Sequence, residues 1–219
     1  MSQHDGEPVA LPPNLLAVPR VKQRTNYSCG NAATLALLRY WRWDTYARLD
    51  ESALYAPLQT TPARGTEPEP IAAFFRSIEG MDAQYRHGDL TVADLERAVS
   101  AGQPPIVDLQ AWSDHDAPYR DVWDAGHYVV MVGYDAKRFF FMDPGTLTPG
   151  SYAYLLRREL DERWHDLTGA EGTHLERMTI FVQGSEPPRR PDELRGEATR
   201  DAMPDALPNA TDQRATKLG

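Results

Sequence analysis

The stretch that decides the fold is QRTNYSCGNAATLALLRYW, residues 23–41. From Cys29 onward Ala33, Leu37, Tyr40 and Trp41 recur on a helical period, and Ala32, Leu35 and Leu38 widen the apolar stripe. A helix apolar over that much of its circumference is buried inside a domain. Its first residue is a cysteine, placed where free backbone N–H groups and the helix dipole favour an anion, which for a thiol is the nucleophilic thiolate. Gly30 follows and is read as leaving room for a substrate.

Working outward, the chain turns from helices to strands. A second helix is expected near Pro70, using Ile71, Phe74, Phe75 and Ile78 and stopping at Gly80. A third opens on Thr91 as N-cap, with Asp94 three residues on, and closes at Gly102. PPIVDLQAW then reads as a strand. HYVVMVGYD and RFFFMDP read as a hairpin joined by Asp135, Ala136 and Lys137, and RMTIFVQ as a last strand. RRELDERWHDL between them suggests a short helix with Leu160 and Trp164 inward. Helices packed on an antiparallel sheet make the class α+β.

The domain is expected to span about 15–183, after a mobile arm over 1–14 and before a disordered proline- and charge-rich tail over 184–219. A hydrophobic fraction of 41% suits a globular chain of 219 residues. The net charge of -9 argues against a nucleic-acid partner. A single cysteine rules out an internal disulfide and a multi-cysteine zinc site. No run approaches the roughly 20 apolar residues of a membrane span, and the opening residues lack a basic leader with a continuous apolar segment. The expectation is a cytoplasmic protein without a membrane partner.

Three further residues complete a constellation around Cys29. Gln23 lies on a loop short enough to fold back toward the thiol, where its amide and the Cys29 N–H would form two oxyanion donors. His127 heads an apolar strand directly after Gly126, from which it can reach a helix N-terminus and exchange a proton with the thiol. Asp143 ends the partner strand, beside His127 across the hairpin, and can orient the imidazole. Each has an ordinary explanation taken alone: a helix-start cysteine, a loop glutamine, a strand-capping histidine and an Asp-Pro turn. Their convergence points to a Cys-His-Asp hydrolase.

The pattern of Gln23, Cys29-Gly30 and a small-residue helix, then GHYVV from Gly126 and Met142-Asp143-Pro144, resembles the bacteriocin-processing peptidases that cut double-glycine leaders. These are papain-like cysteine peptidases, and the chain is similar to their stand-alone bacterial relatives, in which segments like VDLQAW and ELDERWHD accompany the triad. The resemblance implies a papain-like fold over about 18–183, with Cys29 as nucleophile, His127 as general base, Asp143 as orienting acid and Gln23 in the oxyanion hole. It also implies a peptide or protein substrate, cleaved after small residues such as Gly, and no cofactor. The chain has neither the membrane spans nor the G-x-x-x-x-G-K motif of the transporter-linked members.

In the acidic loop WSDHDAPYRDVWD, Asp114, His115, Asp116, Asp121 and Asp124 are read as solvated rather than metal-binding; Gly126, Trp112 and Trp123 are candidate substrate-binding residues, with core packing the ordinary role of the two tryptophans. His165 and His174 are read as structural. Two other readings use the same residues differently: amide or acyl transfer to a small amine, or a catalytically idle peptide-binding module.

Overall fold

The computed structural model describes residues 9–113, 117–145, 152–185 and 197–200. Its helices are α1 (Cys29–Trp41), α2 (Trp43–Tyr46), α3 (Pro68–Arg76), α4 (Val92–Ser100) and α5 (Arg157–Arg163). Its strands are β1 (Val9–Ala10), β2 (Met81–Arg86), β3 (Ile106–Gln110), β4 (Gly126–Tyr134), β5 (Arg138–Met142), β6 (Tyr152–Leu156), β7 (His165–Thr168), β8 (Thr173–Glu176), β9 (Thr179–Gly184) and β10 (Glu197–Arg200). One eight-stranded sheet runs in the order β1-β10-β6-β5-β4-β3-β9-β2, antiparallel from β6 to β2, while β7 and β8 form a separate hairpin.

Each local signal has a visible cause. In α4 the Asp94 carboxylate accepts from Thr91 N at 2.7 Å, and Gly102, with φ of 76°, turns the chain so that Gln103 N reaches Ala98 O at 2.9 Å. Two prolines start α3, at Pro68 rather than Pro70, because a proline costs no hydrogen bond in a first turn. The β4–β5 turn closes on Asp135, whose Oδ1 accepts from Lys137 N and Arg138 N, both at 2.7 Å.

The sheet is covered on both sides. Along β3, β4 and β5, Ile106, Tyr128, Val130, Val132, Phe140 and Met142 pack with α1 and α3. Their alternates Val107, Leu109, Val129, Met131, Phe139 and Phe141 pack with α4 and α5. This explains why these strands are apolar at nearly every position. The expected order of helices first and strands later needs correction: β2 falls between α3 and α4. Strands β6, β7 and β8 were not foreseen either, and α5 stands where a short helix was expected, with Leu160 and Trp164 buried.

Of the segment expected to be an arm, residues 1–8 lie outside the described residues. Val9 and Ala10 pair with β10, Asn14 Oδ1 accepts from Tyr134 N at 3.2 Å, and Pro12 sits where a side chain on Gly133 would be. Of the expected tail, 186–196 and 201–219 lie outside the described residues, whereas Glu197–Arg200 pair in parallel with β6. Among the described residues no helix is long and apolar enough to cross a membrane.

Candidate active site

Three elements meet at the start of α1. Cys29 is its first residue and is half-buried, reached from a loop held by hydrogen bonds at Gln23, Arg24 and Thr25. Thr25 N donates to Ser28 Oγ at 3.1 Å, Arg24 N donates to the buried Glu51 carboxylate at 3.0 Å, and Gln23 N donates to Pro144 O at 3.0 Å. Burial raises the Glu51 carboxyl above its ordinary range, against hydrogen bonds from Ser28 and Arg24 N.

His127 comes from the head of β4. The ladder pairs Val130 with Met142, and continuing that register sets His127 opposite Gly145 and diagonally beside Asp143. His127 Nε2 lies 2.7 Å from Asp143 Oδ1, both side chains are buried, and Cys29 is close enough to act on the charge of the ring. Burial alone would discharge the imidazole. The charge and hydrogen bond of Asp143, with Cys29 beyond them, outweigh it and raise His127 well above its ordinary value. The imidazole is thus held by the carboxylate, with Cys29 in its electrostatic neighbourhood.

Gly145 was not anticipated. Its N–H donates to Asp143 Oδ1 at 2.6 Å, and a Cβ there would lie 3.2 Å from both that oxygen and His127 Nε2. The glycine after Asp-Pro was the available signal. Asp108 was also missed, although it is the one charged residue in the apolar run PPIVDL. It faces Tyr128 across the β3–β4 ladder, on the side that packs against α1. Burial raises its carboxyl well above the usual range, the charges of Asp166 and Cys29 add to this, and Tyr128 and His127 oppose it.

Gln23 Nε2 donates to Thr25 O at 2.7 Å, while Gln23 Oε1 is enclosed without a hydrogen-bond partner among the described residues. The amide thus keeps one N–H for another acceptor. Gly30 needs correction. A Cβ on it would lie 2.9 Å from Thr66 Cβ and 3.2 Å from Ile71 Cδ1, so its bare side admits core atoms rather than substrate. Gly126 likewise faces a protein group, the Asp166 carboxylate.

Residues 15–171 of the chain match the family described as Peptidase_C39 like family. The chain belongs to that family. A comparison with curated proteins finds no match. Among solved structures, a C39-like peptidase from Bacillus anthracis shares 17% identity at a TM-score of 0.56, covering 83% of this chain and 100% of the other. A double-glycine motif protease from an AMS/PCAT transporter, solved in complex with the leader peptide, shares 14% identity at a TM-score of 0.52, over 81% and 97%. The peptidase domain of Streptococcus ComA, a bifunctional ABC transporter of a quorum-sensing pathway, shares 15% identity at 0.52, over 76% and 98%. These likenesses carry the fold, an α+β papain-like cysteine peptidase domain.

Within this C39-like domain the aromatic candidates divide. Trp123 is wedged between the rings of His165 and His174, with centroids 4.2 Å away on each side, and His165 Nε2 contacts Val122 O at 2.7 Å. Trp112 is half-buried just beyond β3. Asp114, His115 and Asp116 lie outside the described residues. Glu67, ahead of α3, ties the β7–β8 turn of the C39-like domain to its helical side by accepting from Thr168 Oγ1 at 2.7 Å and Gly169 N at 3.0 Å.

Proposed function

We propose that the protein is a cysteine peptidase that hydrolyses a peptide bond through an acyl-enzyme on Cys29. In this reading the Cys29 sulfur attacks the scissile carbonyl carbon while His127 takes the thiol proton. The tetrahedral oxyanion is met by the Cys29 N–H and the second amide hydrogen of Gln23. His127 returns its proton to the leaving amine, and the C–N bond breaks. Water, deprotonated by His127, then attacks the thioester, and the acid product leaves with Cys29 restored. Asp143 holds the imidazole and stabilises its cation throughout.

The single observation that supports the reading is a buried His127 ring, 2.7 Å from the Asp143 carboxylate, whose charge the single thiol of the chain also influences. Family membership supports peptide chemistry, and the leader peptide bound to a protein of the same fold supports a peptide substrate. We take residues such as Gly at the cleavage point as the first class to try.

A peptide library incubated with the wild type and with Cys29→Ala, read by mass spectrometry, tests this. Cleavage by the wild type alone is the expected result. Products joined to an added amine instead of water would make the protein a transferase. No acylation by any member would leave only the binding-module reading.

A further inference from the structure

The residues just before His127 are gripped by side chains from β3 and β7. Gln110, wholly buried at the end of β3, pairs with Gly126 in the ladder. Its Oε1 accepts from Ala125 N at 2.9 Å, and its Nε2 donates to His165 O and to Asp166 Oδ1, each at 2.9 Å. The other Asp166 oxygen presses on Gly126 so closely that a Cβ there would lie 1.7 Å from it. His165 meanwhile holds Val122 O, three residues before Ala125. One amide, one carboxylate and one imidazole from β3 and β7 thus fix the segment that delivers His127, and its neighbour Gly126 is the one residue type that fits.

We propose that Gln110 and Asp166 are positioning residues that clamp Ala125–Gly126 and so hold the His127 ring against Cys29. The inference rests on the thiol–imidazole reading above but adds two residues that touch no reacting atom. A buried amide with its oxygen and both its hydrogens engaged has one orientation, so the clamp has no alternative state to relax into. Loosening it by a fraction of an ångström misaligns a proton transfer that depends on contact distance.

Asp166 also brings negative charge near Tyr128 and Asp108. Two substitutions separate grip from charge. Asp166→Asn keeps an oxygen for Gln110 and removes the charge, whereas Asp166→Ala removes both. The readout is the rate of Cys29 alkylation by iodoacetamide across pH, with His127→Ala as the reference for lost coupling.

Asp166→Ala is expected to fall by about tenfold at neutral pH and to take on the pH profile of His127→Ala, while Asp166→Asn stays within about threefold of wild type. Wild-type rate and profile in Asp166→Ala would overturn the clamp, as would an equal loss in Asp166→Asn, which would assign the effect to charge. If circular dichroism shows Asp166→Ala unfolded, Gly126→Ala serves instead, since its methyl displaces the same carboxylate; unaltered labelling there overturns the clamp. A His127→Ala protein that labels as fast as wild type would sink the thiol–imidazole reading itself. A slow His127→Ala beside a wild-type Asp166→Ala would sink the clamp alone.

Discussion

Gln23 donates its backbone N–H to Pro144 O at 3.0 Å, which stitches the loop before α1 to the residue that follows Asp143. The candidate oxyanion donor and the carboxylate behind His127 are therefore parts of one rigid corner. A disturbance of either reaches the other through a single bond.

The corner makes Gln23 testable apart from Cys29. Gln23→Ala should lower the cleavage rate of a peptide substrate by about 10²–10³-fold. Alkylation of Cys29 by iodoacetamide, which forms no oxyanion, should stay within about threefold of wild type. Parallel kinetics of the two reactions on the same protein read this directly, and an equal loss in both would deny Gln23 the oxyanion role.

Asp143→Ala strands a buried histidine. His127 sits well above its ordinary 6.5 in the fold, so its pairing contributes stability in full below that value and loses it as pH rises through the raised one. Removing the carboxylate should cost about 3–5 kcal/mol below pH 6.5 and progressively less in alkali. Urea unfolding of wild type and variant at about pH 6 and about pH 9 checks the trend. A cost that grows with pH would contradict it.

Gly145→Ala should leave the fold intact yet disturb the site. Its methyl would crowd Asp143 Oδ1 and the His127 ring at 3.2 Å, tight enough to push the pair apart. A fall of about tenfold in Cys29 alkylation with little change in melting temperature is expected. Thermal unfolding followed by the labelling rate separates the two effects.

Glu67→Gln weakens the tie between the β7–β8 turn and the helical side. Burial works against the Glu67 carboxylate, but the Gly169 N–H, Arg64 and Thr168 outweigh it and hold it below its ordinary 4.5. The tie is thus present above 4.5 and is released as pH falls through the lowered value. Amide exchange at Gly169 should speed up in Glu67→Gln at neutral pH, and in the wild type it should gain extra protection loss only in acid. Equal protection in both proteins would show that the contact holds nothing.

How much of this was legible in the sequence depends on the range of the interaction. The α1 stripe, the Thr91–Asp94 cap and the Asp135 turn are short-range patterns, and the structure has them. The β4–β5 hairpin was readable because its two strands are adjacent in the chain, and with it the approach of His127 and Asp143. Strand β2 was overlooked because MDAQYR alternates only weakly and sits at a sheet edge. The misreading of Gly30 has a different origin: sequence shows that a side chain is missing but not what fills the space, and here Thr66 and Ile71 do so from well downstream. The link from Gln110 to Asp166 joins residues far apart in the chain and has no local signature at all.

The burial of β4 between two helical layers has a consequence for traffic. Within the strand only its two ends, Gly126 and Tyr134, are partly exposed, and one of them is the neighbour of His127. On the peptidase reading proposed above, a substrate meets β4 at that same end, where α1 also begins.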